Sequence, residues 1–472
     1  MSKSVKVVAL VAGLAAAGYV GGTWYMGKTV ESAVGSWYDQ AGSQLPYMKV
    51  ISRDYNRSLF GATDDVVVQI SKDYLKTMAE GSPDMMQAID EIDPGVLELH
   101  IHSDIKHGPL PGAAPAAGRV LTTVNFSPEV RAKLDKYFGG KPPLQADTTI
   151  GFTGGGKTQV SSPPVNVSEE GATFDWAGLN ATTDFANGFE RYTLDATMPK
   201  FAMQVDGGLI EVHNIKVKAD QKRIFPDNQL LNSGTMNATV DSIKFAPPAD
   251  QSLSGLVIDD VAYDTDVPVN GEFLDIVAKM RANSIQVDGV NYGPAHLDLS
   301  FLHLHARSTA TFYDAYMQLY SNPAMAEAMQ ADPMMAFASL GQPLGELLKY
   351  DPQIRFDRIS FNTPAGETRM SLAVKPKGMT LEDFQNPMAL VGKVTVDSEL
   401  TVPMQFIASM MASSESGLDT DSAFAMVDMQ AKPLIDAGYV ARNGEVLNTR
   451  LRFANGQLTA NDKPVDPALL GM

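Results

Sequence analysis

The sequence predicts an α+β fold: an N-terminal transmembrane helix, then a large β-rich region of antiparallel meanders with helices packed on one face. Three observations carry this reading. Val7 to Gly27 is a run of 21 residues without a charge, just long enough as a helix to cross a hydrocarbon core. From about Val50 onward, segments such as DDVVVQI, GVLELHIHSDI and RYTLDATM alternate apolar with polar positions between Gly, Pro, Asn and Asp, the pattern of half-buried antiparallel strands. A few windows break that alternation with helical spacing and capping residues.

The elements follow in order. Lys3 and Lys6 precede the apolar run, so the positive-inside rule keeps the N-terminus in the cytoplasm and sends the rest of the chain across the membrane. Trp24 and Tyr25 fall where an interfacial aromatic belt belongs, and Gly18 and Gly22 form a small-xxx-small face that suits helix–helix pairing. A cleaved signal peptide ending at Ala15-Ala16-Ala17 is the competing reading; the anchor is preferred because apolar and aromatic residues continue past the alanines. Residues 1–28 are therefore assigned to the cytoplasmic N-terminus and anchor, and residues 29–48 to an amphipathic stalk with Val30, Val34 and Trp37 on one face. Residues 49–305 form the β-rich periplasmic region. It is interrupted by one helix in FSPEVRAKLDKYF, with Ser127 as cap and Pro128 in the first turn. Residues 306–472 are helix-rich, with helices expected in Thr309–Leu348 and Pro403–Ala437 and a closing hairpin turned at Asn443-Gly444 and Asn455-Gly456.

Composition removes several function classes. A net charge of −18 argues against nucleic acid and against a polybasic membrane surface. The absence of cysteine removes disulfides, thiolate metal sites and cysteine nucleophiles. No G-x-S-x-G elbow and no H-E-x-x-H motif occurs, so no catalytic residue and no cofactor is assigned.

Three features remain. GFTGGGKT, Gly151 to Thr158, matches the phosphate-loop pattern. That loop needs a helix directly after it, whereas TQVSSPPVNV reads as extended chain broken by Pro163-Pro164. A glycine turn between strands is expected, with Lys157 exposed and no nucleotide bound. His100 with His102, and His303 with His305, each put two imidazoles on one strand face; together they would suit a metal, and singly they decorate a wet face. Met325, Met329, Met334 and Met335 gather in one helical stretch, where flexible thioethers either fill a core or form an adaptable apolar surface.

Four segments together resemble the YdgA-like family of proteobacterial envelope proteins. They are GGTWYMGKTVE at Gly21–Glu31, YNRSLF at Tyr55–Phe60 (Ser58 standing where the family has glycine), HGPLP at His107–Pro111, and FANGQLTANDKPV at Phe453–Val465. The resemblance implies an inner-membrane anchored protein facing the periplasm, not a nucleotide hydrolase, and it supplies no catalytic residues. The expected function is that of a binding or scaffold protein of the cell envelope. Its expected partners are a second copy, another envelope protein or a lipid. The alternatives are a carrier or chaperone of lipids in a sheet groove, supported by a continuous apolar groove, and a metal-dependent enzyme in which the histidine pairs converge.

Overall fold

The computed structural model describes residues 26, 28, 30–32, 34–35, 48–78, 83–92, 94–112, 115–169, 171–205, 207–228, 230–248, 254–321, 333–413 and 419–466. Antiparallel strands dominate, with helices between them. The chain divides into two compact units that cut across the division expected at residue 305. The first comprises Met1–Ala202, Lys216–Asn232 and Tyr316–Pro333, and the second Met203–Ile215, Ser233–Ala315 and Met334–Met472. Among the described residues no helix is long and apolar enough to cross a membrane. The expected anchor, with Gly18, Gly22, Trp24 and Tyr25, lies outside the described residues.

In the first unit the strands run β1 (Met48–Arg57), β2 (Gly61–Ile70), β3 (Glu98–His107), β4 (Gly118–Phe126), β5 (Leu144–Ile150), β6 (Gly156–Ser162), β7 (Val165–Glu169), β8 (Ala172–Trp176), β9 (Leu179–Phe185) and β10 (Arg191–Val205). Each of β1 to β5 pairs antiparallel with the next; β9 then pairs with β6 and β10 with β9. β7 and β8 form a hairpin, and β8 also pairs with β10. Alternation produces this directly: Ala62, Asp64, Val66 and Val68 of β2 are buried while the residues between them are not. Two helices, Lys72–Met78 and Pro83–Glu91, fill the connection after β2. The sequence reading missed them, since charges scattered along that stretch hide any apolar stripe. The helix Pro128–Phe138 forms as expected and closes on left-handed Gly139. Ser127, however, makes no side-chain cap bond and its hydroxyl is buried.

Residues 26–35 are helical where described, and their apolar face is docked. Val30 and Val34 are fully buried against Ala62, Ile105, Val120 and Ile150. Ala62, Ile105 and Val120 stand side by side in register. A Cβ at position 118 would run into the Val30 side chain, so glycine there sets how closely helix and sheet approach. Burying two valines stabilises this contact by roughly 1.5–3 kcal/mol each. Arg57 reaches Glu31 on the same helix at 3.0 Å.

β11 (Gly208–Arg223) contributes to both units. The second unit continues with β12 (Asn232–Ala246), β13 (Leu256–Val267), β14 (Val269–Asn270), β15 (Phe273–Ala282), β16 (Ser284–Val287), β17 (Val290–Asn291) and β18 (Ala295–His305). After the helices Ala306–Ser321 and Pro333–Leu348 come β19 (Gln353–Thr363), β20 (Gly366–Pro376), β21 (Val394–Pro403), β22 (Ala441–Asn443), β23 (Val446–Ala454), β24 (Gln457–Ala460) and β25 (Lys463–Pro464). The antiparallel order is β12-β13-β15-β18-β19-β20-β21-β23-β24. Asn455 and Gly456 both take positive φ and turn the closing hairpin, as the dipeptide predicts. The helices Met404–Ser413 and Thr420–Ala437 pack through Met404, Ala408, Ala423 and Val427.

Candidate functional site

The phosphate-loop pattern is a hairpin turn. The Gly151 amide donates to the Gly155 carbonyl at 2.7 Å and the Gly154 amide to the Gly151 carbonyl at 3.0 Å. Gly154 has φ +87, and a Cβ at Gly156 would collide with the Thr149 carbonyl. Lys157 belongs to β6, an extended strand, with its ammonium 3.5 Å from Asp184. No helix follows Thr158, so the amides a phosphate requires are spent on strand pairing.

The histidine pairs lie in different units, and each ring has local partners. His102 Nδ1 is 2.7 Å from Asp65 Oδ1, and this hydrogen bond raises its pKa above the ordinary histidine value. His100 Nε2 lies 3.8 Å from Glu98. His303 takes φ +58 and still shares the Phe273 ring with His305. It stacks on Phe273 at 4.2 Å between ring centroids, and His305 stacks on Tyr350 at 4.0 Å. His303 Nδ1 is 2.8 Å from the Tyr350 carbonyl and His305 Nδ1 is 2.9 Å from Ser308 Oγ. The imidazoles are built into an aromatic stack rather than left pointing at a common centre. Of the methionines, Met325 and Met329 lie outside the described residues. Met334 and Met335 fall in the helix Pro333–Leu348, their side chains outside the description.

The feature that stands out is a sheet face in the second unit. Across β15, β18, β19, β20, β21 and β23, register aligns three rows of side chains. One row reads Met280, Leu297, Ile359, Met370, Leu400 and Thr449. The next, two residues along, reads Ala278, Leu299, Phe356, Leu372, Ser398 and Leu451, and the third Ile276, Phe301, Ile354, Val374, Val396 and Phe453. Bulges near Ile276 and near Phe356 keep the rows in phase. With strands about 4.8 Å apart and residues about 3.3 Å apart, this face measures about 24 by 13 Å. None of its eighteen positions is buried, and Met280, Leu297, Ile354, Leu400 and Leu451 are 37–45% exposed. An apolar face of about 300 Å² is comparable with the largest patch on an ordinary monomer, and such patches are often functional. At one end Phe406 of the helix Met404–Ser413 packs edge-on to Phe361, centroids 5.3 Å apart.

The opposite face of the same strands is charged. Arg358 pairs with Glu367 at 2.8 Å, Lys375 and Arg452 with Asp397 at 2.9 and 3.0 Å, and Arg450 with Glu399 at 3.2 Å. The Arg358 hydrogen bond holds Glu367 below the usual carboxylate range. Small Ser300 and Ser360, 4% and 3% exposed, sit beneath this ion-pair layer. The sheet therefore buries polar residues on its charged side and leaves leucines half bare on the other, the reverse of an ordinary half-buried sheet. Sequence reasoning did not find these residues. HLDLSFLHL and TRMSLAV alternate clearly, but alternation does not say whether the apolar side is covered.

The model of the family described as "Bacterial protein of unknown function (DUF945)" matches residues 1–468. The chain is similar to "Protein YdgA" of Escherichia coli (strain K12), 23% identical over 507 aligned residues covering 98% of this chain and 94% of that protein. No solved structure matches.

Proposed function

We propose, for a chain that belongs to the DUF945 family of bacterial proteins, a binding rather than a catalytic role: an envelope protein, anchored in the inner membrane by Val7–Gly27, that holds acyl chains of lipids on the apolar sheet face of its second unit. The observation that carries this is the three-row face, apolar at fifteen or more positions and buried at none. Covering one half-exposed leucine is worth roughly 1 kcal/mol, half of what full burial brings, so several rows acting together bind an apolar chain well. The dimensions allow it: an acyl chain spans one leaflet, about half of a hydrocarbon core ~30 Å thick, and fits within rows about 24 Å long. Anchoring keeps the protein at the source of such ligands, and an acidic exterior keeps it soluble beside them.

The test is binding of a fluorescent phospholipid to the detergent-purified chain and to a Leu297→Glu, Leu400→Glu double variant. Two buried carboxylates cost several kcal/mol between them, so affinity falls at least a hundredfold while the circular dichroism spectrum and Tm stay unchanged. Equal binding by both proteins, or none by the wild type, removes the proposal. Association of two copies through the same face is the competing outcome, read as a dimer in light scattering that the double variant makes monomeric.

A further inference from the structure

The first unit carries a second apolar feature, at one end of its sheet rather than on a face. In a meander, alternate connections lie at the same end. The turns after β1, β3 and β5 (residues 58–60, 108–117 and 151–155) are therefore neighbours, tied by bonds from the His107 amide to the Phe60 carbonyl and from the Ala117 amide to the Ile150 carbonyl. Their sequences are SLF, GPLPGAAPAA and GFTGG, eighteen residues without one charge in a chain that is 19% charged. The connections at the other end differ sharply: residues 71–97 contain eight charged residues and residues 127–143 contain six. Leu110, Phe60, Phe152 and Leu59 project from these three turns and are 61%, 53%, 51% and 42% exposed; the β9–β10 connection at the same end carries one charge, Glu190.

This is also the end at which the N-terminal helix docks. Val30 lies against Gly118, the first residue after the 108–117 turn, and Val30 and Val34 pack on Ala62 and Ile150, which flank the other two turns. Glu31 holds Arg57 at the end of β1. The apolar run stops at Gly27, three residues before Val30, and three residues span at most about 11 Å. An anchor ending there would leave the bilayer close to these turns.

We infer that this end of the first unit is a membrane foot, with Leu59, Phe60, Leu110 and Phe152 inserted among the lipid headgroups of the leaflet from which the anchor emerges. The occupant of the apolar tips is the bilayer itself. The partition is favourable for such side chains and is paid for by no buried charge. This inference rests on the anchoring read from Val7–Gly27.

Because the chain has no cysteine, single substitutions Leu110→Cys, Phe152→Cys and Lys141→Cys in the full chain each accept one nitroxide label. The three proteins are reconstituted in phosphatidylethanolamine–phosphatidylglycerol vesicles, and the accessibility of each label to oxygen and to a water-soluble nickel chelate is measured. The foot predicts an oxygen-to-nickel ratio severalfold higher at 110 and 152 than at 141, on the far end. If the protein stays with the vesicles after alkaline carbonate and all three labels are equally wet, the foot is overturned and the anchor stands. If carbonate strips the protein from the vesicles, the anchor reading fails and the foot falls with it.

Discussion

At the scale of single residues, the least obvious stabilising group is Asp64. It is fully buried on β2 and accepts two hydrogen bonds from Arg53, at 2.9 and 3.0 Å. Arg53 is about a third exposed, so Asp64→Ala forfeits charge-assisted hydrogen bonds rather than leaving a buried charge. It is expected to cost about 1.5–3 kcal/mol in urea unfolding, whereas disrupting the exposed Lys157–Asp184 pair by Lys157→Ala should change stability by less than ~0.5 kcal/mol. Beside Asp64, burial and the nearby Glu31 carboxylate push the Tyr55 phenol up to about 12. The raised value means the neutral phenol belongs to the folded state. Its contribution is complete below the unfolded phenol's value near 10 and is lost as pH rises through 12. Phenolate absorbance should show a late titration step that Tyr55→Phe abolishes. The hydroxyl has no hydrogen-bond partner, so that variant should otherwise match the wild type within about 1 kcal/mol.

At the scale of elements, glycines govern two junctions. Gly118→Ala drives a methyl into Val30 and should loosen the 26–35 helix from the sheet, costing about 1–3 kcal/mol. Limited proteolysis between residues 35 and 48 should then cut faster than in the wild type. Much at this scale was legible in the sequence. The β1–β6 meander, the Pro128–Phe138 helix, the paired C-terminal helices and the Asn-Gly turns each follow from periodicity or local turn chemistry that needs no distant partner. What failed did so for physical reasons. The His303 and His305 rings are engaged by Phe273 and Tyr350, partners that local spacing does not reveal. Ser127 has the right identity for a cap but the wrong side-chain geometry. The helices before β3 have short apolar faces scattered among charges.

At the scale of the whole molecule, the sequence indicated a β-rich chain but not its division, because residues 203–215 and 216–232 are adjacent in sequence and belong to different units. The candidate site was equally hidden. Each of its strands reads as an ordinary half-buried strand, and only the long-range register from β15 to β23 shows that eighteen side chains, none of them fully buried, share one face. Whether a face is covered depends on what packs over it, which local sequence does not encode. By contrast, the apolar run Val7–Gly27 is plain in the sequence alone. The structure added that three turns separated by some fifty residues each share one end with the helix that follows the run.

Photo-crosslinking tests the central claim most directly. Cells expressing the full chain are fed a diazirine-bearing fatty acid, illuminated, and the purified protein is digested and mapped. The account predicts adducts on strand peptides carrying Met280, Leu297, Met370 and Leu400, lost in the Leu297→Glu, Leu400→Glu variant. Adducts confined to Val7–Gly27 and the turns of the first unit, with none on those strands, would contradict it.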